Sequence, residues 1–386
     1  MTRVGLVVNP VAGLGGRVGL GGTDGPERPR RAVALGARPP AGPRATQALR
    51  ALRERGRALG LDLVVVTVPG AMGADAARAA GVAPVVVGDT WPTRTAPPDT
   101  TPADTVSAAH ALVDAGVELL LFAGGDGTAR DLLGALEGAR CPVLGIPTGV
   151  KMHSAVFAVG PGAAGEVAAA WLAGGGGVRL REGEVMDRDD TALSEGRVAS
   201  RLFGWLPVPD VPARVQQRKT GSTATTGEAS AGIASEIAGR VGDGLLVLGP
   251  GSTTHAVAGA LGADASLAGV DVLAVRAGRA EVVARDTGET GLLARIGSGP
   301  CWIALSPIGG QGFLLGRGNQ QISPRVLRAA GGRERLLVLC PEHKLAALGG
   351  RPLLLDTGDP DVDAELTGYL PVLTGHRRIS LYPATG

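Results

Sequence analysis

The stretch Val117-Glu118-Leu119-Leu120-Leu121-Phe122-Ala123-Gly124-Gly125-Asp126-Gly127-Thr128 decides how this chain folds. Residues 117–122 form a short apolar run of the kind a buried parallel strand shows. Downstream, Thr128-Ala129-Arg130-Asp131 has the spacing of a capping box, and Leu132, Leu133 and Leu136 continue it as a helix. Between strand and helix, Gly124, Gly125 and Gly127 allow backbone to come close to a ligand. The helix N-terminus offers unpaired N–H groups to an anion. Asp126 places one fixed negative charge in that phosphate-friendly loop. A carboxylate there repels phosphate unless it does chemistry, holds a metal or grips a sugar hydroxyl. The combination points to phosphoryl transfer to an alcohol.

Outward from this loop, strand signals at 4–8, 61–67, 84–87, 117–122 and 142–146 alternate with helix signals at 45–59, 71–80, 102–115 and 129–137. The third helix carries its own start and stop: Thr101 as cap, Pro102 in first position, Asp104 completing the box and Gly116 at the far end. Such alternation predicts an α/β domain, a doubly wound parallel sheet with helices on both faces. Ligands then bind beyond the C-terminal strand ends, where Asn9-Pro10 and the Asp126 loop both fall. The glycine run at 173–178 reads as a boundary. The expected domains are 1–172, α/β, and 173–386, β-rich with some helices. In the second, strands or hairpins are expected at 197–207, 245–248, 270–285, 301–305 and 336–340, and a helix at 228–241. Residues 88–104 and 220–230 read as exposed or mobile loops.

Composition narrows the function. The 386 residues, 44% apolar and 19% charged, suffice for two domains with sizeable cores. A net charge of +2 and 3% aromatics give neither the bulk electrostatics nor the stacking platforms of a nucleic-acid binder. Cys141, Cys301 and Cys340 are scattered and lack metal-ligand spacing, so they read as reduced, buried thiols, and no residue is assigned as a metal ligand. No signal peptide or membrane-length apolar run is visible, which predicts a soluble cytoplasmic protein without a membrane partner. Lys occurs only at 151, 219 and 344, against 35 Arg, so a Lys stands out wherever it occurs.

Four further loops bear polar groups. Asn9-Pro10-Val11-Ala12-Gly13-Leu14-Gly15-Gly16 follows the first strand; Asn9 can hydrogen-bond a phosphate or a neighbouring loop, and an ordinary turn is the alternative. Gly145 to Ser154 follows the fifth strand and holds Thr148, Lys151, His153 and Ser154, with Lys151 able to neutralise a phosphate. Gly249-Pro250-Gly251-Ser252-Thr253-Thr254 lies between a strand and a helix; its hydroxyls can cap that helix or bind a ribose or phosphate. Pro307 to Gln321 follows the strand at 301–305, and Arg317, Asn319 and Gln320 make it a candidate substrate loop or a structural network. Ser323-Pro324 then opens a helix. Asp356-Thr357-Gly358-Asp359 reads as a turn.

Asn9-Pro-x-Ala-Gly together with Gly124-Gly-Asp-Gly-Thr128 resembles the NAD kinase superfamily, which includes diacylglycerol and sphingosine kinases. The wider set, residues 9–25, 145–158, 249–254 and 307–321 in this order, is similar to the predicted ATP-NAD kinase branch that includes acetoin-cluster members. The resemblance runs nearly end to end. It implies an N-terminal α/β domain and a β-rich C-terminal domain with the active site between them. It also implies transfer of a phosphoryl group from ATP, or polyphosphate, to the 2′-hydroxyl of NAD's adenosine ribose, with Mg²⁺ or another divalent metal. On that resemblance Asp126 contacts the hydroxyl and is the candidate general base. Gly124, Gly125, Gly127 and Thr128 form the phosphate loop, and 250–254 takes the place of the family's Thr-Gly-Ser-Thr-Ala loop. Thr220-Gly-Ser-Thr-Ala224 matches that string literally but lacks a preceding strand. The family's Asn-Glu pair, which helps grip the dinucleotide, has no counterpart here. A homo-oligomer is implied as well. Two other readings stay open: a kinase of another alcohol (nucleoside, polyol or small metabolite) and a non-catalytic nucleotide sensor.

Overall fold

The computed structural model describes residues 1–20, 27–88, 100–174, 177–188, 200–211, 214–215, 227–297 and 301–386. The chain divides into two compact units, one of Met1–Leu14 with Gly22–Arg218 and one of Gly15–Gly21 with Lys219–Gly386.

In unit 1, the strands β1 (Thr2–Val8), β2 (Leu63–Thr67), β3 (Val85–Val86), β4 (Leu119–Gly124) and β5 (Val143–Pro147) form a five-stranded sheet in the order β3-β2-β1-β4-β5. Every pairing is parallel. Val4, Leu6, Val7 and Val8 are all fully buried. Neighbouring residues on a strand point to opposite faces, so both faces of β1 are covered. The strand order reverses between β1 and β4, and in such sheets that reversal opens a crevice at the C-terminal strand ends.

The helices of this unit are α1 (Glu27–Ala34), α2 (Ala41–Ala58), α3 (Ala74–Ala79), α4 (Pro102–Asp114), α5 (Asp126–Ala135) and α6 (Pro161–Leu172). The buried face of α2 (Ala45, Ala48, Leu49, Leu52) has the i, i+3, i+4, i+7 spacing of an amphipathic helix. Against it packs α6, which the sequence pattern does not announce. A Cβ on Gly165 would lie 2.2 Å from the Ala48 carbonyl oxygen and 2.5 Å from the Leu52 nitrogen. The two backbones therefore touch, and only glycine fits between them. Helix α4 starts with the expected Thr101–Asp104 capping box and Pro102 in its first turn.

The division into compact units falls at 218/219, beyond the domain step expected at 172/173, and the antiparallel pair β6 (Arg179–Arg188) and β7 (Ser200–Asp210) is part of unit 1. Ala155 donates its N–H to the Glu184 carbonyl at 2.8 Å, and Val159 to that of Arg214 at 3.0 Å. The glycine run at 173–178 is a connection inside the unit, and its residues 175–176 lie outside the described residues. So do 89–99 of the expected loop at 88–104, residues 21–25 of the family-like N-terminal segment, and the literal Thr220–Ala224 string.

Unit 2 contains α7 (Gly227–Val241), β8 (Gly244–Leu248), α8 (Ser252–Ala260), β9 (Asp271–Arg276), β10 (Arg279–Ala284), α9 (Glu289–Ile296), β11 (Cys301–Leu305) and α10 (Pro324–Ala330). It continues with β12 (Leu336–Leu339), α11 (Glu342–Ala346), β13 (Leu353–Leu354), α12 (Pro360–Leu366), β14 (Gly368–Gly375) and β15 (Arg378–Thr385). Helix α7 begins at Gly227, inside the loop expected at 220–230, of which 220–226 lie outside the described residues. The eight strands form one mixed sheet, β10-β9-β8-β11-β12-β14-β15-β13. At its centre β8, β11, β12 and β14 run parallel. Val247, Ile303, Val338 and Val372 line one face; Leu246, Ala304, Leu337 and Leu373 line the other. This period of two over adjacent strands leaves a core on each side of the sheet. The β-rich second region is thus present, with helices on its parallel centre. Cys141, Cys301 and Cys340 are buried and unpaired, and burial pushes their thiols up to about 11, 11 and 12, so they stay protonated. Among the described residues no helix is long and apolar enough to cross a membrane.

Candidate active site

The crevice of unit 1 is built where β1 and β4 end side by side. Asn9 closes β1: its backbone N–H donates to the Ala123 carbonyl at 2.9 Å, and its side-chain Oδ1 accepts from the Val11 N–H at 3.2 Å. Its Nδ2 donates to Thr128 Oγ1 at 3.0 Å, which joins the first loop to the first turn of α5. The helix begins three residues earlier than the sequence indicates, at Asp126 instead of Ala129. Gly125 is the cap, in extended conformation, and Asp126 and Gly127 are already helical. Thr128 is therefore no cap and the expected Thr128–Asp131 box does not form, since glycine at 125 reaches the extended geometry and Thr128 Oγ1 serves Asn9.

Of the three glycines, Gly124 is required by the chain itself and Gly125 sits in a tight contact. A Cβ on Gly124 would lie 2.5 Å from that of Thr128, and one on Gly125 3.2 Å from Gly149 Cα. The loops after β4 and β5 thus meet backbone to backbone. Thr148 and Gly149 both donate N–H groups to the Gly124 carbonyl, at 3.0 and 3.2 Å. Gly13, at φ +77°, would place a Cβ 1.9 Å from the Thr148 carbonyl oxygen, so the first loop is also pressed onto the third. Around Gly127 there is room: the nearest atom to its would-be Cβ is Asp187 Oδ2, at 4.0 Å.

Asp126 is 7% exposed and sits where these loops converge. Its Oδ2 accepts the His153 backbone N–H at 2.7 Å, and its Oδ1 accepts that of Ser154 at 3.1 Å. His153 Nδ1 lies 3.3 Å from Oδ2. The carboxylate is thus fixed by the loop it faces, and its roughly four acceptor positions are not exhausted by these bonds. Ser154 Oγ in turn donates to the Met186 carbonyl at 2.8 Å and accepts the Met186 N–H at 2.9 Å, which ties β6 to the same loop. Thr148 is 6% exposed, and its Oγ1 has no hydrogen-bond partner among the described residues. Lys151 is exposed on the same loop.

Two carboxyls that the sequence does not single out as functional adjoin this crevice. Burial raises Asp131, on α5, to about 6; Arg130 lowers it and Asp187 raises it further. Asp187, on β6, pairs with Arg130 at 2.9 Å. No signal marks Asp187 in the sequence, where it is one of several acids along a strand that pairs far from residue 126. Among the described residues no group of three or more His, Cys, Asp or Glu could by itself hold a metal ion.

In unit 2, Gly251 takes φ +138° between β8 and α8. Ser252 and Thr253 occupy the first turn, and Thr254 Oγ1 donates to the Gly251 carbonyl at 2.9 Å. The loop after β11 is a folded network. Arg317 is 4% exposed; its Nη1 pairs with Asp356 Oδ2 at 2.5 Å, and its guanidinium lies 4.3 Å from the Phe313 ring centre. Asn319 Oδ1 accepts the Gly316 N–H, and its Nδ2 donates to the Leu314 carbonyl, both at 2.9 Å. A ligand reaching Arg317 has to displace a buried ion pair. Gln320 is half-buried beside them. The Asp356–Asp359 segment is more than a turn: Asp356 holds Arg317, and Asp359 caps α12.

With this geometry in view, residues 4–176 match the ATP-NAD kinase N-terminal domain and residues 240–384 match the ATP-NAD kinase C-terminal domain. The chain belongs to the NAD kinase family. No curated protein matches it. Membership makes it a kinase of a family that uses ATP as phosphoryl donor.

Proposed function

We propose that this kinase transfers the γ-phosphoryl group of ATP to the 2′-hydroxyl of NAD's adenosine ribose, giving NADP and ADP. The observation that carries the reading is the Asp126 carboxylate, buried at the start of α5 beside the switch point and fixed by the His153 and Ser154 N–H groups. In the proposed step the ribose 2′-oxygen forms a bond to the γ-phosphorus, the bond from that phosphorus to the β–γ bridging oxygen breaks, and the hydroxyl proton passes to Asp126. Such transfers depend on positioning and electrostatics, with a general base supplying about 10²- to 10⁴-fold. Asn9, Thr128 and the α5 N-terminus hold the loop that faces the phosphates, and Thr148, His153 and Lys151 line the same crevice. In unit 2, Gly251, Ser252, Thr253 and Thr254 are assigned to a ribose or phosphate of the nucleotides.

A divalent ion such as Mg²⁺ is held in kinases by one or two carboxylates together with substrate phosphates. Asp131 and Asp187 are hard oxygen donors that meet this demand, and the ion supplies neutralisation of phosphate charge. Membership of the acetoin-cluster branch, a homo-oligomeric assembly and the division of labour among these residues are parts of the same proposal.

A second reading keeps the chemistry and changes the acceptor. The absence of an Asn-Glu pair anywhere in the sequence favours it, since that pair helps grip the dinucleotide in the family it resembles. Mass spectrometry of the products from purified protein, ATP, Mg²⁺ and NAD tests both. NADP supports the first reading. No NADP, with phosphate transferred to another alcohol in a metabolite panel, supports the second. Bound nucleotide with no turnover on any alcohol overturns both in favour of a sensor.

A further inference from the structure

Two buried polar side chains of unit 2 are left without counterparts, and they lie on adjoining segments. Gln321, near the end of the loop after β11, is 5% exposed, and neither end of its amide has a hydrogen-bond partner among the described residues. Its neighbour Asn319, by contrast, has both ends of its amide bound. Thr287, between β10 and α9, is 8% exposed, and its Oγ1 is equally without a partner among the described residues. Three stretches far apart in sequence meet here, all within unit 2: residues 17–19, 286–289 and 321–323. The Glu289 N–H donates to the Arg17 carbonyl at 2.9 Å, and Glu289 Oε1 accepts from Ser323 Oγ at 2.5 Å. Gly19, at φ +77°, faces the junction. A Cβ there would lie 3.5 Å from the Asp286 carbonyl oxygen, 3.7 Å from Gln321 Nε2 and 3.9 Å from Asp286 Oδ1. The space left by the missing side chain is therefore bordered by one amide donor and two oxygen acceptors. Asp286 is exposed, holds φ +44°, and its carboxylate makes no ion pair among the described residues.

We propose that Gln321, Asp286 and Thr287 form a hydroxyl-binding site in unit 2 that takes a vicinal diol, as a ribose or a free polyol presents. A buried amide that the chain leaves unpaired is costly, and a group from outside that pairs with it accounts for its presence. The chemistry of the set selects that group. The Asp286 carboxylate and carbonyl only accept, whereas Gln321 Nε2 only donates. A phosphate or carboxylate can accept from Nε2 but meets the Asp286 charge, which no ion pair offsets. An ammonium can satisfy Asp286 but offers nothing to Nε2. A hydroxyl does both, and two adjacent hydroxyls let one serve the carboxylate while the other meets the amide. The Thr287 hydroxyl, one residue from Asp286, supplies a further donor and acceptor. The site is defined without Asp126 and without regard to which alcohol is phosphorylated.

The test uses the whole chain carrying ¹⁵N in the side-chain amides of its six glutamines, with Gln321→Met to assign the Gln321 signal. Adenosine and ribitol are titrated separately, in the absence of ATP. The site predicts that the Gln321 signal moves and saturates with at least one of them. A response to adenosine alone places the diol on a nucleoside, and a response to ribitol alone places it on a free polyol. 2′,3′-Dideoxyadenosine, which lacks both hydroxyls, leaves the signal where it is. Asp286→Asn keeps the side-chain shape and tolerates the positive φ; it weakens binding about 10- to 100-fold, the range for losing a hydrogen bond to a charged group. Gln321→Met, read by calorimetry, weakens it roughly 2- to 10-fold. A Gln321 signal unmoved by both probes overturns the proposal, as does a shift that dideoxyadenosine reproduces. So does a folded Asp286→Asn or Gln321→Met chain that binds as well as the parent. Because no turnover is read, a failure of the NAD kinase reaction leaves this outcome untouched, and the reverse holds too.

Discussion

Two glycine-rich loops leave the C-terminal ends of parallel strands with similar composition, residues 124–128 after β4 and 306–323 after β11, yet they spend their polar groups differently. In the second, Arg317 is closed by Asp356 and Phe313, and both ends of the Asn319 amide are bound to backbone. In the first, backbone N–H groups hold Asp126, space is left beside Gly127, and the neighbouring Thr148 keeps a buried hydroxyl with no partner among the described residues. A polar loop after a strand thus serves either the chain or a ligand. Arg317 and Asn319 are already taken by the chain, although Gln321 Oε1 of the same loop, like Thr148 Oγ1, is buried with no hydrogen-bond partner among the described residues.

The largest stability effect expected from breaking this comparison lies in the second loop. Arg317→Ala leaves Asp356 buried without its cation and should cost about 3–5 kcal/mol. Chemical denaturation checks this, and activity per folded molecule should be retained. A stable variant with a raised KM would move Arg317 to the substrate.

Next is the pH response beside Asp126. Asp131 sits at about 6 when folded against an ordinary 3.8, so the fold favours its neutral form. Its contribution is therefore most favourable below about pH 4 and is lost as pH rises through 4 to 6. Asp131→Asn should raise Tm at pH 7, with the gain vanishing below pH 4. Melting curves across that window, compared with the parent chain, decide it.

The smallest stability effect belongs to Thr148. Replacing an unpartnered buried hydroxyl by a methyl group leaves stability nearly unchanged, within about 0.5 kcal/mol. If the hydroxyl serves a ligand, Thr148→Val raises KM roughly 2- to 10-fold. Unchanged Tm together with unchanged KM would remove Thr148 from the site.

Much of this was legible in the sequence. Strands β1, β4 and β5 appear as short apolar runs because they are buried on both faces, and α4 is announced by Thr101, Pro102 and Asp104. Helix α6 is silent because Pro161–Leu172 is buried nearly all round, with Ala and Gly where a periodic pattern would otherwise show. The start of α5 was misplaced because Thr128-x-x-Asp131 imitates a cap, while the true cap, Gly125, carries no side chain to signal it. The crevice residues Asn9, Asp126, Thr128, Thr148 and His153 stand out by type and position. Asp187 does not, because its place beside Gly127 depends on β6 folding back onto a loop some 60 residues earlier in the sequence. The roles of Arg317 and Asn319 were equally hidden, since their partners, Asp356 and two backbone groups, are fixed only by the fold.

The central claim is that Asp126 acts on the acceptor hydroxyl and does more than anchor the loop at 153–154. The direct measurement is kcat of Asp126→Asn on the acceptor found by product analysis, with thermal melting run alongside. The account predicts a folded protein whose turnover falls about 10²- to 10⁴-fold. A folded Asp126→Asn protein that turns over within a few-fold of the parent would contradict it and leave Asp126 a structural anchor only.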